Sequence, residues 1–157
     1  MKVRIVVGAL SVLVLMNSSV LGTETDTDLP AKLTCELAKL KSETSRQARI
    51  QLAEKVADDV KQLSVVNEID RINDQTLRKI TALLDDNDDA IRSWAAIALG
   101  RMGPKARSAV PSLERALRRI ERENEKKEVL PASDSSSAIQ VALRRIAGIP
   151  DRDSAPN

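Results

Sequence analysis

The 157-residue chain has no histidine, no tyrosine and no phenylalanine, and only one tryptophan and one cysteine. Without histidine it lacks the commonest general base and the commonest metal ligand. A Ser-His-Asp triad cannot be assembled, nor can a zinc site of Cys and His, and no cofactor is implied. With Cys35 alone, no disulfide can close within the chain, so stability must come from packing. The shortage of aromatics removes the platforms on which nucleic-acid bases stack. These absences exclude histidine-based chemistry and leave carboxylates among the remaining acid-base groups.

The chain opens with Lys2 and Arg4, an apolar run over residues 5–16, then Ser18, Ser19, Val20, Leu21 and Gly22. A polar stretch, 23–28, follows. This is the pattern of a secretory signal peptide cleaved after Gly22, with Val20 at −3. The apolar run is short beside the ~20 residues of a membrane span; retention as an uncleaved anchor is the alternative. Thr23 rather than a cysteine stands directly after the cut, which argues against a lipoprotein. Cleavage would remove Lys2 and Arg4 and no acid, so 25 basic residues become 23, against 23 acidic ones. A mature chain of zero net charge exerts no general pull on nucleic acid. Its expected destination is the periplasm or the exterior.

The remaining sequence repeats. Residues 48–57, 94–103 and 138–147 align as small-residue helical windows; Trp94 follows Ala48 by 46 residues and precedes Ala138 by 44. A period in this range, with apolar residues at three-and-four spacing, marks a helical solenoid. Six helices in three pairs are expected, over 30–41 and 45–63, 74–84 and 89–102, 105–127 and 135–147. Thr44 with Gln47 reads as a capping box, Asn73 as an N-cap, and Gly103-Pro104 and Gly148 with Pro150 as stops. The first helices also repeat, through Leu33, Ile80 and Leu113, but the third pair carries 11 extra residues between its helices. That excess coincides with the charged stretch 121–128, where Arg119, Glu123 and Lys127 stand at i,i+4 spacing. It reads as a solvated overhang or as a protruding contact element.

Residues 80–120 carry a more specific signal. An acidic turn, Leu83-Leu84-Asp85-Asp86-Asn87-Asp88-Asp89, leads through Ala90 and Ile91 to Arg92. A small-residue helix ending Leu99-Gly100-Arg101-Met102-Gly103 follows, then Ala109-Val110-Pro111-Ser112-Leu113. This stretch resembles a HEAT repeat of the variety found in phycobilisome-lyase-like proteins. The resemblance implies an all-α chain, a short α-solenoid of about three HEAT-like helical hairpins (29–66, 73–103, 105–149) with a polar tail, 150–157. It also implies that second helices line the binding side, that the turn Asp (Asp88) and following Arg (Arg92) join neighbouring repeats, and that the function is protein–protein contact. Arg46 lies on the row of Arg92; Ser136 takes that row in the third repeat, so an arginine ladder would stop after two rungs. No catalytic residue comes with the resemblance.

Spacing and helical phase assign places to several individual residues. Trp94, a large side chain in a row of alanines, is expected to fill the core between repeats, with ligand stacking as the alternative. Asp85, Asn87 and Asp89 open like a calcium loop, but Ala90 and Ala96 stand where Gly and a bidentate Glu are needed; capping of the helix near Asp89 is the simpler reading. Arg115, Arg118, Arg119 and Arg122, with Arg144 and Arg145 near, form a basic face for an anionic lipid, polysaccharide or acidic protein, or a salt-bridged surface. Cys35 should point away from the buried Leu33, Leu37 and Leu40. Two rows repeat in register on the second helices, Lys55/Arg101/Arg145 and Gln51/Ile97/Val141. Neither belongs to the packed rows Leu52/Ala98/Ala142, Ala53/Leu99/Leu143 and Val56/Met102/Ile146. Both should face outward, offering apolar anchors beside cations to an amphipathic or acidic partner, unless they are ordinary surface. The functional expectation is an exported, non-enzymatic protein-binding module, monomeric or weakly self-associating, with at most weak contact to a membrane or other anionic surface. The alternatives are an accessory subunit of an envelope enzyme, using carboxylates such as Asp85 and Asp88, or a self-assembling envelope structural protein.

Overall fold

A computed structural model describes residues 28–125 and 134–149. The signal segment, residues 126–128 of the charged stretch and the C-terminal tail lie outside the described residues. Among the described residues six α-helices follow one another: α1 (Leu29–Ser42), α2 (Arg46–Val65), α3 (Asp74–Ala82), α4 (Asp89–Met102), α5 (Val110–Glu125) and α6 (Asp134–Ile146). No strand occurs among the described residues, and no described helix is long and apolar enough to cross a membrane.

The helices pair as the periodicity requires: α1 with α2, α3 with α4, α5 with α6. The second helices stack side by side in the order α2, α4, α6. The central helix α4 is enclosed, with eight of its fourteen residues buried. Its composition follows from that position. Ala95, Ala96, Ala98 and Gly100 are buried and let neighbours approach on several sides. A Cβ on Gly100 would stand 3.0 Å from Ala142 Cα of α6, so glycine sets the spacing of α4 and α6. Leu33, Ile80 and Leu113, the repeating residues of the first helices, are fully buried in one core with Val56, Leu99 and Ile146. Leu40, Ala53 and Ile91 form a second, smaller cluster.

Local chemistry sets the helix ends. Ser45, rather than Thr44, is the N-cap of α2; its hydroxyl accepts from Ala48 N–H, while the Glu43 carboxylate accepts from the Thr44 and Ser45 N–H groups. Asn73 caps α3, accepting from Thr76 N–H at 2.8 Å. α2 runs past Leu63 because Asn67, at φ 58°, closes it; Glu68 N–H reaches Leu63 C=O and Asn67 N–H reaches Ser64 C=O. That is a Schellman closure, with asparagine taking the left-handed position. Gly148, at φ 75°, closes α6 in the same way.

The third pair departs from expectation at its start. Residues 103–109 form a 3₁₀ segment, and α5 begins only at Val110. Pro111 is the physical reason: it has no N–H to give to residue 107, and its ring opposes a continuous α-helix through that turn. Trp94 is corrected in degree. It is half-buried, resting against both clusters rather than filling a closed core.

Candidate functional site

The acidic turn before α4 fastens the repeats together. Asp88 is the N-cap of α4, and its carboxylate accepts from Ala90 N–H at 3.0 Å. It also takes the Arg46 guanidinium from the start of α2. Burial alone would raise the Asp88 pKa; the Arg46 and Ala90 hydrogen bonds outweigh it and hold the group below its ordinary value. Asp86 pairs with Arg49, one turn along α2. The buried Arg92 folds back on its own turn, donating to the carbonyls of Asp86 (2.9 Å) and Asn87 (3.1 Å) and to Asp89 Oδ1 (2.8 Å).

The ladder expected to stop after two rungs continues in a different form. Asp89 accepts from the hydroxyl of Ser135, buried at the start of α6. A serine one residue before the expected Ser136 thus ties the third repeat to the second. Arg119 of α5 reaches the same region, donating to Leu84 C=O at 2.8 Å and lying 3.4 Å from Asp85. Asp85, Asp86, Asp88 and Asp89 are therefore all engaged within the fold. No group of three or more metal-ligating side chains of suitable type occurs among the described residues. The basic face on α5 is largely tied down as well. Besides Arg119, Arg122 donates to Arg118 C=O, and Arg118 stands 3.8 Å from Glu114. Arg115 remains exposed.

The two outward rows do not stay together in the fold. Lys55, Gln51 and Arg145 are exposed, and Val141 is 38% exposed. Ile97 is half-buried and packs against the main core, so it is an anchor only in part. Arg101 is corrected: its side chain is 22% exposed and donates to Ala57 C=O of α2 at 2.6 Å, with Asp58 at 3.6 Å. It is a strap between repeats more than a cation offered to solvent.

The structure brings Ile97, Val141 and Arg145 to one cleft of about 330 Å³ between α4 and α6. Its floor is small: Ala96, Gly100, Ala138 and Ala142. Ser93 and Ser137 add hydroxyls, and among the described residues no acid lines it. Lys55 is not part of it. Lys55 borders a separate, more polar cleft of about 400 Å³ at the α1–α2 hairpin, together with Lys39, Gln51 and Leu52. Cys35 is exposed, as its helical phase requires.

Sequence reasoning missed one polar cluster. Glu36 of α1 and Asp59 of α2 are buried against each other, with the Lys32 ammonium donating to Asp59 Oδ1 at 2.7 Å. The signal was present: Glu36 falls in the apolar stripe of Leu33, Leu37 and Leu40, and Asp59 in that of Val56, Val60 and Leu63.

A family model describing HEAT repeats matches residues 46–130, more than half of the chain. The phycobilisome-lyase-like variety is not distinguished by that match. The chain matches no curated protein and no solved structure.

Proposed function

Because the chain belongs to the HEAT-repeat family, whose members commonly serve as protein-interaction modules, we propose that it is a non-enzymatic adaptor binding a segment of another protein in the cleft between α4 and α6. The observation that supports this reading is the cleft itself. A floor of alanine and glycine leaves room for a partner's side chain, Ile97 and Val141 give apolar walls, and Arg145 is the charged residue of the described lining. The apolar walls and small floor fit a segment that presents a bulky apolar side chain. The carboxylates that an enzymatic reading would use, Asp85 and Asp88, hold Arg119 and Arg46 instead.

The variant Ser137→Glu with Val141→Glu tests the proposal. Both positions are exposed, so helix content and melting temperature should stay near wild type. Capture of a segment with a bulky apolar side chain by wild type, lost in this variant, is the expected result. A folded variant that captures the same segment equally well would place the interface elsewhere. We propose export on the strength of Lys2, Arg4, the apolar run and the Val20/Gly22 pattern. Intact mass of the exported chain should show Thr23 as its first residue; a membrane-bound form that retains Met1 would make the segment an anchor.

A further inference from the structure

We propose that Glu36 and Asp59 form a proton-dependent latch between α1 and α2, fastened while they share a proton and loosened when both ionise. Glu36 is 7% exposed and Asp59 2%, and each lies in an apolar stripe of its helix. Glu36 Oε2 and Asp59 Oδ2 are buried without a hydrogen-bond partner. Two facing carboxylates cannot both carry charge in such a setting without a large penalty, whereas a carboxyl can donate to a carboxylate and relieve both. Lys32, from the same helix as Glu36, supplies one positive charge, and its hydrogen bond to Asp59 holds its own proton more tightly than usual. From α2, Asp59 and Lys55 act on Glu36; α3, the other helix against α1, turns Thr76, Leu77 and Ile80 inward, none of them charged.

Burial first, then the hydrogen bond to Asp59 and its charge, push the Glu36 pKa up to about 7, against the pull of Lys32 and Lys55. An acid raised in the folded state stabilises fully below its unfolded value, and that contribution is lost as pH rises through the folded value. The latch is therefore closed in mildly acidic surroundings and weakened above neutrality. Loosening it frees the helix that delivers Leu33, Leu37 and Leu40 to the core.

The test is a carboxyl NMR titration of Glu36 in the full chain, with urea unfolding from pH 5 to 8.5 on wild type and Glu36→Gln. Gln keeps a donor toward Asp59 at every pH. Wild type should show Glu36 titrating near neutrality and an unfolding constant rising about a hundred-fold across the range. The rise should be absent in Glu36→Gln, and hydrogen-exchange protection in wild type should fall first in α1. Ordinary titration of Glu36, or the same pH slope in both proteins, overturns the latch. If Glu36→Gln does not fold, the wild-type titration decides alone.

Discussion

Two residues of α4 show how much a single position carries. Arg101 shares a register with Lys55 and Arg145, yet its guanidinium is bound to α2 through Ala57 C=O. Arg101→Ala should therefore cost stability rather than only slow association. A hydrogen bond from a charged donor is worth about 1.5–3 kcal/mol, and the Ala57 carbonyl lies within a helix, so about 1 kcal/mol is expected in urea unfolding. Gly100→Ala sets two effects against each other. Alanine gains about 1 kcal/mol of helix propensity, while overpacking costs about 1–3 kcal/mol. The obstructing atom is backbone, Ala142 Cα at 3.0 Å, which yields only if α6 moves. Overpacking should win, leaving the variant less stable by about 1 kcal/mol. A more stable variant would mean that α4 and α6 can separate freely.

At the scale of elements, the acidic turn before α4 governs how repeats join. Asp88→Ala removes the N-cap of a helix enclosed on several sides, and about 1 kcal/mol should be lost at neutral pH. Less is assigned to its ion pair, because the Arg46 side chain is 76% exposed and its charge is screened by solvent. The folded pKa of Asp88 lies below its ordinary value, so its contribution is complete above the usual carboxylate range and is lost as pH falls through and below it. The stability gap between wild type and Asp88→Asn should hold at neutral pH and shrink in acid, measured by unfolding at several pH values. A gap independent of pH would assign the effect to shape alone. The start of α5 shows how a local break overrides a period. Pro111 was readable in the sequence, but the apolar period continues through it, and the period by itself places the helix start too early.

For the whole molecule, the stacking direction matters. On α6, Gln140, Leu143 and Arg144 occupy the register positions that Ala96, Leu99 and Gly100 take on α4. Gln140 and Arg144 are exposed, where α4 buries alanine and glycine against its neighbour. Polar outer faces of this kind cap repeat arrays and oppose further stacking. The chain should run as a monomer in size-exclusion chromatography with light scattering, even at high concentration. A concentration-dependent series of stacked species would favour the self-assembling structural reading instead.

The sequence by itself determined the repeat and the helix faces. Apolar spacing of three and four, a period near 45 residues (from Ala48, Trp94 and Ala138), and Asn73, Gly103 and Gly148 as boundary residues were enough for six helices in three pairs, and Cys35 lies outward as its phase requires. Those features are local, because helical phase follows from residue number alone. Only the tertiary structure decided which outward residues can serve a partner. Arg101 and Arg145 share a register, but one reaches a carbonyl across the helix stack and the other borders an open cleft. Which hydroxyl would meet Asp89, and that Glu36 would face Asp59, depend on the distance and rotation between helices. Those are fixed by side-chain packing such as the Gly100–Ala142 contact, which no single helix encodes.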